Sequence, residues 1–449
     1  MEQEDDLSDP VFDDMTMPDL AERRKFLEVC RESFVLNVQI NRKGECLGLV
    51  AANYVRFDDW KVYVSILLHM GFVGLHDDNI CRELTSFTTF GTAGGSWSYS
   101  SDYANDVQGR ISILHLAPRN PCDLPAHICR LNHLRRLCIF SQNFDSLPLK
   151  ELSLLPQFES LYLGGCSDRL SNSLAQTSVE FPHLKSLSLC GTPSFQMIYR
   201  CVALENLALF FGDQNEIDFI LNILQSPGLC FAETLRSIEF TGGHCQMKDR
   251  HLETLFFQIV PRFPNLNKME FLGSTLKIMS FKVIADRIRS EKSCLSLNKS
   301  LRCVRFFGYY SSEELVQINE DPGIKGALLT FLQSYVTIDH IDIPRGIKIY
   351  PEWEYALIRN MVGRRILRES GVWSDGNGSS SLPLSIWPLV LQRAQEKCDK
   401  KFTCQQSRTS AKATGIYYLL REGPALVGRR VMVSNSDGCP PQPKRQRQG

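Results

Sequence analysis

The sequence predicts an α/β fold: a solenoid whose curved parallel sheet lines the concave side, with short turns and then helices on the convex side and mainly helical caps. Three observations predict it. An apolar triplet spaced L-x-x-L-x-L recurs nine times between residues 111 and 346. The intervals between recurrences lengthen along the chain, and the longer ones acquire helical periodicity.

The triplets are Ile111-Leu114-Leu116, Leu134-Leu137-Ile139, Phe158-Leu161-Leu163, Leu184-Leu187-Leu189 and Leu204-Leu207-Leu209. They continue as Leu235-Ile238-Phe240, Leu266-Met269-Phe271, Leu301-Val304-Phe306 and Ile338-Ile341-Ile343. Their starts are 23, 24, 26, 20, 31, 31, 35 and 37 residues apart. The second and third apolar residues stand two apart, so on a strand they share one side while their neighbours take the other. One such strand cannot bury its apolar side. Stacking nine about 4.8 Å apart makes one parallel sheet over a continuous core.

The return segments differ along the chain. DLPAHICRLNHL (123–134) and SLPLKELSLLPQF (146–158) suit short irregular or 3₁₀ returns. RHLETLFFQIV (250–260), FKVIADRIR (281–289) and IKGALLTFLQSYV (324–336) have the apolar spacing of amphipathic helices, which explains the longer intervals. Pro182, Pro261 and Pro264 stand just before strands, where a helix has to stop.

These residues resemble the leucine-rich-repeat superfamily, over about 235 of 449 residues. Position nine of that repeat often holds Asn or Cys; here Cys166 fills it once, and Gln142, Thr192 and Ser274 are hydrogen-bonding substitutes. The early units look like those of plant disease-resistance-type proteins, and NDVQGRISILHL (105–116) resembles the lead into the first repeat of plant-type ectodomains. The paired cysteines of those ectodomain caps are absent, which argues against an extracellular receptor. Leu382-Pro383-Leu384, Trp387-Pro388 and Leu420-Arg421-Glu422-Gly423-Pro424 are similar to the C-terminal segment of leucine-rich-repeat proteins of diatoms, a group with no established activity.

A strand stack exposes an edge at each end unless something covers it. The expected layout is an acidic disordered tail (1–22), an N-terminal capping region (23–110), the nine units (111–346), a C-terminal helical cap (347–430) and a second tail (431–449). The capping region alternates helical stretches with a polar Gly/Ser-rich one at 91–101. Its GTAGGS (91–96) lacks the G-x-x-x-x-G-K-[ST] spacing of a phosphate loop and reads as a plain loop. The C-terminal helices close the core or, in the sharper reading, dock a partner.

The charge balance gives no support to some partners. Fifty basic and fifty acidic residues leave no net charge, whereas nucleic acids and membrane surfaces usually need a basic excess. No window reaches the roughly 18 apolar residues of a membrane span. The N-terminus lacks the layout of a signal peptide, so the 16 cysteines read as reduced, mostly buried hydrophobes of an intracellular, cytoplasmic protein. The terminal KRQR, with Lys444, Arg445 and Arg447, allows a nuclear address. The sequons at Asn298 and Asn377 are then unused.

Catalytic and metal motifs are missing. There is no C-x-x-C, H-E-x-x-H, acidic Ca loop, G-x-S-x-G or kinase signature. Cys398 and Cys404 have no nearby His to complete a zinc site. His115, His127 and His133 read as surface or loop histidines, and Asp58-Asp59 and Asp77-Asp78 as solvated turn or cap residues. Neither enzyme activity, cofactor nor metal is expected.

What remains is the outward side of the strands. The third, fifth and seventh positions of each unit point away from the core, and the candidate partner-binding residues there are Arg136, Phe140, Tyr162, Phe210, Glu239, Lys268, Glu270, Arg305, Phe307, His340 and Asp342. Aromatic anchors with arginine nearby are the usual composition of binding hot spots. The expected function is a non-enzymatic scaffold binding a protein of unknown identity. The alternatives are a substrate adaptor of a ubiquitin ligase, for which MPDLAERRKFLEV (17–29) is a faint match to an F-box, and a nucleic-acid-binding protein.

Overall fold

The computed structural model describes residues 19–46, 55–84, 102–273, 281–290 and 298–361, apart from gaps of one to three residues within them. The acidic segment up to residue 18, the 91–96 loop, Gln142, Cys166, Ser274, Asn377, Cys398, Cys404 and the expected C-terminal cap and tail beyond residue 361 lie outside the described residues. The chain divides into two compact units, residues 1–277 with 307–309, and residues 278–306 with 310–449.

The first unit begins with α1 (Leu20–Cys46) and α2 (Phe57–His69). The start of α1 falls inside the stretch expected to be a disordered tail. Asp19 explains the earlier start: its side chain accepts from the Ala21 amide (2.9 Å) and its carbonyl from Arg23 (3.1 Å). Trp60 of α2 is buried and donates through Nε1 to Ser33 Oγ of α1 at 3.0 Å, joining the helices.

Two expectations need correcting here. Asp59 is not a solvated turn residue: it is buried, accepts the Ile111 amide at 2.7 Å and pairs with Arg110 Nη2 at 2.7 Å. Burial pushes its carboxyl above the usual range, although Ile111 and Arg110 pull the other way. His127 is not a surface histidine: it is buried in a 3₁₀ turn (Ala126–Arg130) and hydrogen-bonds the Ser65 hydroxyl of α2. Both follow from the packing of α2 on the first strand and its return, which periodicity within either segment does not reveal.

β1 (Asp102–Asn105) pairs antiparallel with β2 (Ile111–Leu116), Tyr103 opposite Leu114. Its sequence, DYAN, has no apolar alternation, and the region was expected to be helix and loop. The open edge of β2 supplies the hydrogen-bonding groups that make it a strand.

β3 (Cys122–Asp123), β4 (Arg136–Ile139), β5 (Phe144–Ser146), β6 (Ser160–Leu163), β7 (Ser186–Cys190), β8 (Asn206–Phe211), β9 (Ser237–Gly242) and β10 (Lys268–Gly273) follow. β3 and β5 form a small parallel pair of their own. The rest continue from β2 as one parallel sheet, each strand beside the one before it in the chain. Leu114, Leu137, Leu161, Leu187, Leu207, Ile238 and Met269 stand side by side in register, none more than 1% exposed. Each such side chain contributes about 1.5–3 kcal/mol on burial. β1 pairs with β2 alone among the described residues, so the sheet is not closed into a barrel.

Backbone bonds set the start of each strand. The amide of Arg135 donates to the carbonyl of Ser112 (2.8 Å), Glu159 to Arg135 (2.9 Å), Lys185 to Glu159 (2.8 Å) and Glu205 to Lys185 (2.8 Å). Arg236 repeats the bond to Glu205 (2.8 Å) and Asn267 to Arg236 (2.9 Å).

The returns begin short, as expected, with the 3₁₀ turn and α3 (Leu149–Ser153). α4 (Asp168–Gln176) and α5 (Gln214–Gln225) bring helices in earlier than the three stretches singled out by periodicity. Their caps are legible: Ser167 accepts from the Leu170 amide at 3.0 Å and Asp213 from Glu216 at 2.9 Å. α6 (Asp249–Thr254) runs on as a π turn (Leu255–Ile259) and a 3₁₀ turn (Val260–Arg262). Pro261, which has no amide hydrogen, lies in that last turn rather than beyond it. Arg262 donates to the carbonyls of Leu224, Gln225 and Ser226, closing the C-terminus of α5.

The second unit holds α7 (Phe281–Ser290), β11 (Cys303–Phe307) apart from Phe307, α8 (Ser312–Glu320), α9 (Pro322–Ser334) and β12 (His340–Asp342). β11 and β12 are parallel, with Cys303 opposite His340. The Asn298 side chain is buried and accepts the amides of Ser300 and Leu301, each at 2.7 Å. Phe281 meets Phe306 and Phe331 edge-on at 5.1 and 4.7 Å between ring centres. S-x-x-E at 311–314 forms a capping box on α8. Past β12, Trp353 donates to the Lys325 carbonyl (3.1 Å), and buried Asn360 donates to the carbonyls of Leu332, Tyr335 and Ile338 at 3.0, 3.2 and 2.7 Å.

Two substitutions test this packing. Asn360→Leu, which keeps the branching at Cγ, removes the amide that donates to three carbonyls, and we expect urea unfolding to report a loss of about 2–3 kcal/mol; an unchanged midpoint would remove the role assigned to Asn360. Gly273 has φ +70°, and a Cβ there would run into the carbonyl oxygen of Gly242 on β9. Gly273→Ala is therefore expected to cost about 1–3 kcal/mol in the same measurement.

Candidate functional site

In the first unit, residues that alternate with the buried row form the other side of the sheet, and register arranges them in rows. One row runs His115, Cys138, Tyr162, Ser188, Ala208, Glu239, Glu270. Beside it, Cys190, Phe210, Thr241 and Leu272 stand in register, with Phe140 and Gly164 two residues beyond Cys138 and Tyr162. Apart from buried Cys138, these positions are half-buried or exposed, while the row behind them is closed to solvent.

The expected aromatic residues meet. Phe140 and Tyr162 lie 4.9 Å apart between ring centres, and Tyr162 meets Phe210 edge-on at 5.8 Å. His115, outside the candidate set although it follows the same alternation, extends the chain of rings by an edge contact with Phe140 at 5.8 Å. Offset and edge-to-face pairs of this kind add about 0.5–1.5 kcal/mol each beyond burial. Gly164 makes room for Tyr162: a Cβ there would come within 2.5 Å of the ring's Cε1. Burial, then the neighbouring Cys190, Cys138 and Glu239, raises the Tyr162 hydroxyl's pKa, so the group remains a hydrogen-bond donor at neutral pH.

The charged candidates form a second cluster. Glu239 and Glu270 are neighbours on β9 and β10. Lys268 pairs with Glu270 at 2.5 Å, and Glu239 accepts a hydrogen bond from Thr241 Oγ1 at 3.0 Å. Burial holds the Glu239 carboxyl above its ordinary pKa; Glu270 adds to the rise, and Thr241 and Lys268 oppose it. Arg136 is exposed on β4, opposite Ser160 of β6.

In the second unit, Arg305 Nε pairs with Asp342 at 2.8 Å, and His340 Nε2 lies 2.9 Å from the other Asp342 oxygen. Phe307 is 48% exposed. His115 and His127 sit in the contacts given above, and His133 lies 3.4 Å from Asp106, so the three histidines go to different partners. Among the described residues no group of His, Cys, Asp or Glu could hold a metal ion, and no helix is long and apolar enough to cross a membrane. Buried Cys30, Cys138 and Cys201 carry free thiols, and burial pushes that of Cys201 up to about 12.

The first unit is thus an α/β body with an open parallel sheet whose accessible side carries an aromatic chain ending near two carboxylates. No protein-family model matches the chain, and no curated protein matches it either.

Glu239 tests the electrostatics of this side. Its folded-state pKa is raised, so its contribution to stability is largest below the unfolded value of about 4.3 and declines as pH rises through the folded value. Glu239→Gln is therefore expected to raise the urea midpoint at pH 7, with the gain vanishing near about pH 4, where the carboxyl is protonated in both states. A gain that persists at the lower pH would point to packing instead.

Proposed function

We propose that this chain is a leucine-rich-repeat solenoid that works as a protein-interaction scaffold, binding a protein partner on the accessible side of its sheet. The observation that carries this reading is the chain of half-buried rings from His115 through Phe140 and Tyr162 to Phe210. Large, rigid side chains already ordered by one another offer contact area at little entropic cost. The pattern of triplets supports the repeat assignment, since every triplet contributes one strand and successive strands within a unit are parallel neighbours. No geometry found here favours the ubiquitin-adaptor alternative, and the carboxylates of Glu239 and Glu270 disfavour a phosphate backbone on this side. The free, buried thiols of Cys30, Cys138 and Cys201 support an intracellular, cytoplasmic setting.

The test uses a partner captured from the native cell. Phe210→Ala, Tyr162→Ala and Phe307→Ala are each expected to weaken its binding about tenfold or more while the thermal midpoint stays nearly constant. Unchanged affinity in all three would refute the scaffold reading of this side, and loss of folding would assign the residues to the core.

A further inference from the structure

The aromatic chain and the carboxylates enclose a stretch of the sheet lined with small side chains. Between Tyr162 on β6 and Glu239 on β9, register places Ser188 and Ala208. The backbones of β6 and β9 are therefore about 14 Å apart, three strand spacings. Serine and alanine fill little of that row; the Tyr162 and Phe210 rings, which meet across β7, flank it along the neighbouring row, and Glu239 stands at its β9 end.

The charges make this stretch selective. Lys268 is held by Glu270 at 2.5 Å. Glu239 has a hydrogen bond from Thr241, and among the described residues no lysine or arginine forms an ion pair with it. A partner that covered it with apolar surface would bury a carboxylate whose help is the Thr241 hydrogen bond and the nearby Lys268, with no cation in contact, which is costly. A cationic side chain removes that cost. Its aliphatic stem can lie over Ala208 and its charged head can face both the carboxylate and the negative faces of the rings.

Resting on the reading of this side as the docking surface, we propose that the partner lays an arginine or lysine side chain over Ser188 and Ala208, alongside the rings of Tyr162 and Phe210 and with its charge against the carboxylate of Glu239. The partner is accordingly a protein segment with a basic residue at the centre of its contact. The site selects by charge as well as by shape: a neutral side chain of the same length meets the rings but gives Glu239 no cation in contact.

The probe is a fluorescein-labelled octapeptide of alternating glycine and arginine, compared with the same peptide in which citrulline replaces arginine, each titrated with the full chain. Citrulline keeps the length and most hydrogen-bonding groups of arginine and loses the charge. We expect the arginine peptide to bind about fivefold or more tighter, a preference that Glu239→Gln abolishes and Tyr162→Leu reduces about threefold. Glu159→Gln, on a residue that pairs with Lys185 away from the rings, is expected to leave the preference intact. Equal binding of the two peptides, no binding of either, a preference that survives Glu239→Gln, or an equal loss in Glu159→Gln would each overturn the inference. The scaffold reading is judged separately, by whether Phe210→Ala and Tyr162→Ala still weaken the captured partner.

Discussion

The parallel sheet of the first unit depends on a repeated backbone bond. In each successive unit an amide just ahead of the strand reaches the carbonyl at the same position of the unit before, from Ser112 through Arg135, Glu159, Lys185 and Glu205 to Arg236. This bond fixes register at the point where a strand begins, whatever the length of the return that precedes it. Returns can then grow without disturbing the core row of Leu114, Leu137, Leu161, Leu187, Leu207, Ile238 and Met269. A slip of one residue would turn that whole row to the other side.

The same constraint builds the accessible side. Because strand residues alternate, fixing the apolar row fixes the neighbours of every other residue as well. Tyr162, Ser188, Ala208 and Glu239 share a row only because the leucines beside them do. Glu239 runs against local stability: a half-buried carboxylate beside Glu270, its pKa raised by burial. Conflicts between a residue and its surroundings gather at places that serve a partner rather than the fold, and the cationic contact proposed here would relieve this one.

Legibility followed the range of the interactions. All nine triplets coincide with strands, and after the first unit each strand begins two residues past the first apolar residue of its triplet. The helices at 281–290 and 322–334 lie within a few residues of where periodicity puts them, and the S-x-x-E box marks the start of α8. These are local signals, carried by period and capping chemistry. Asp59 and His127 escape a local reading because each takes its role from a segment remote in sequence, the Ile111 amide and the Ser65 hydroxyl, whereas β1 lies close to its partner β2 but carries no apolar alternation of its own.

The sequence by itself determined the placement of nine of the strands, their parallel α/β class and which side of each is buried, because period two and turn chemistry act over a few residues. It also nominated the aromatic and charged residues of the accessible side, one strand at a time. Tertiary structure alone decided that Phe140, Tyr162 and Phe210 touch, that Lys268 belongs to Glu270, and that Glu239 shares a row with Tyr162, Ser188 and Ala208. Those relations join residues 22 to 77 positions apart in the chain, or depend on rotamers, and a pattern read along one strand does not contain the spacing between strands.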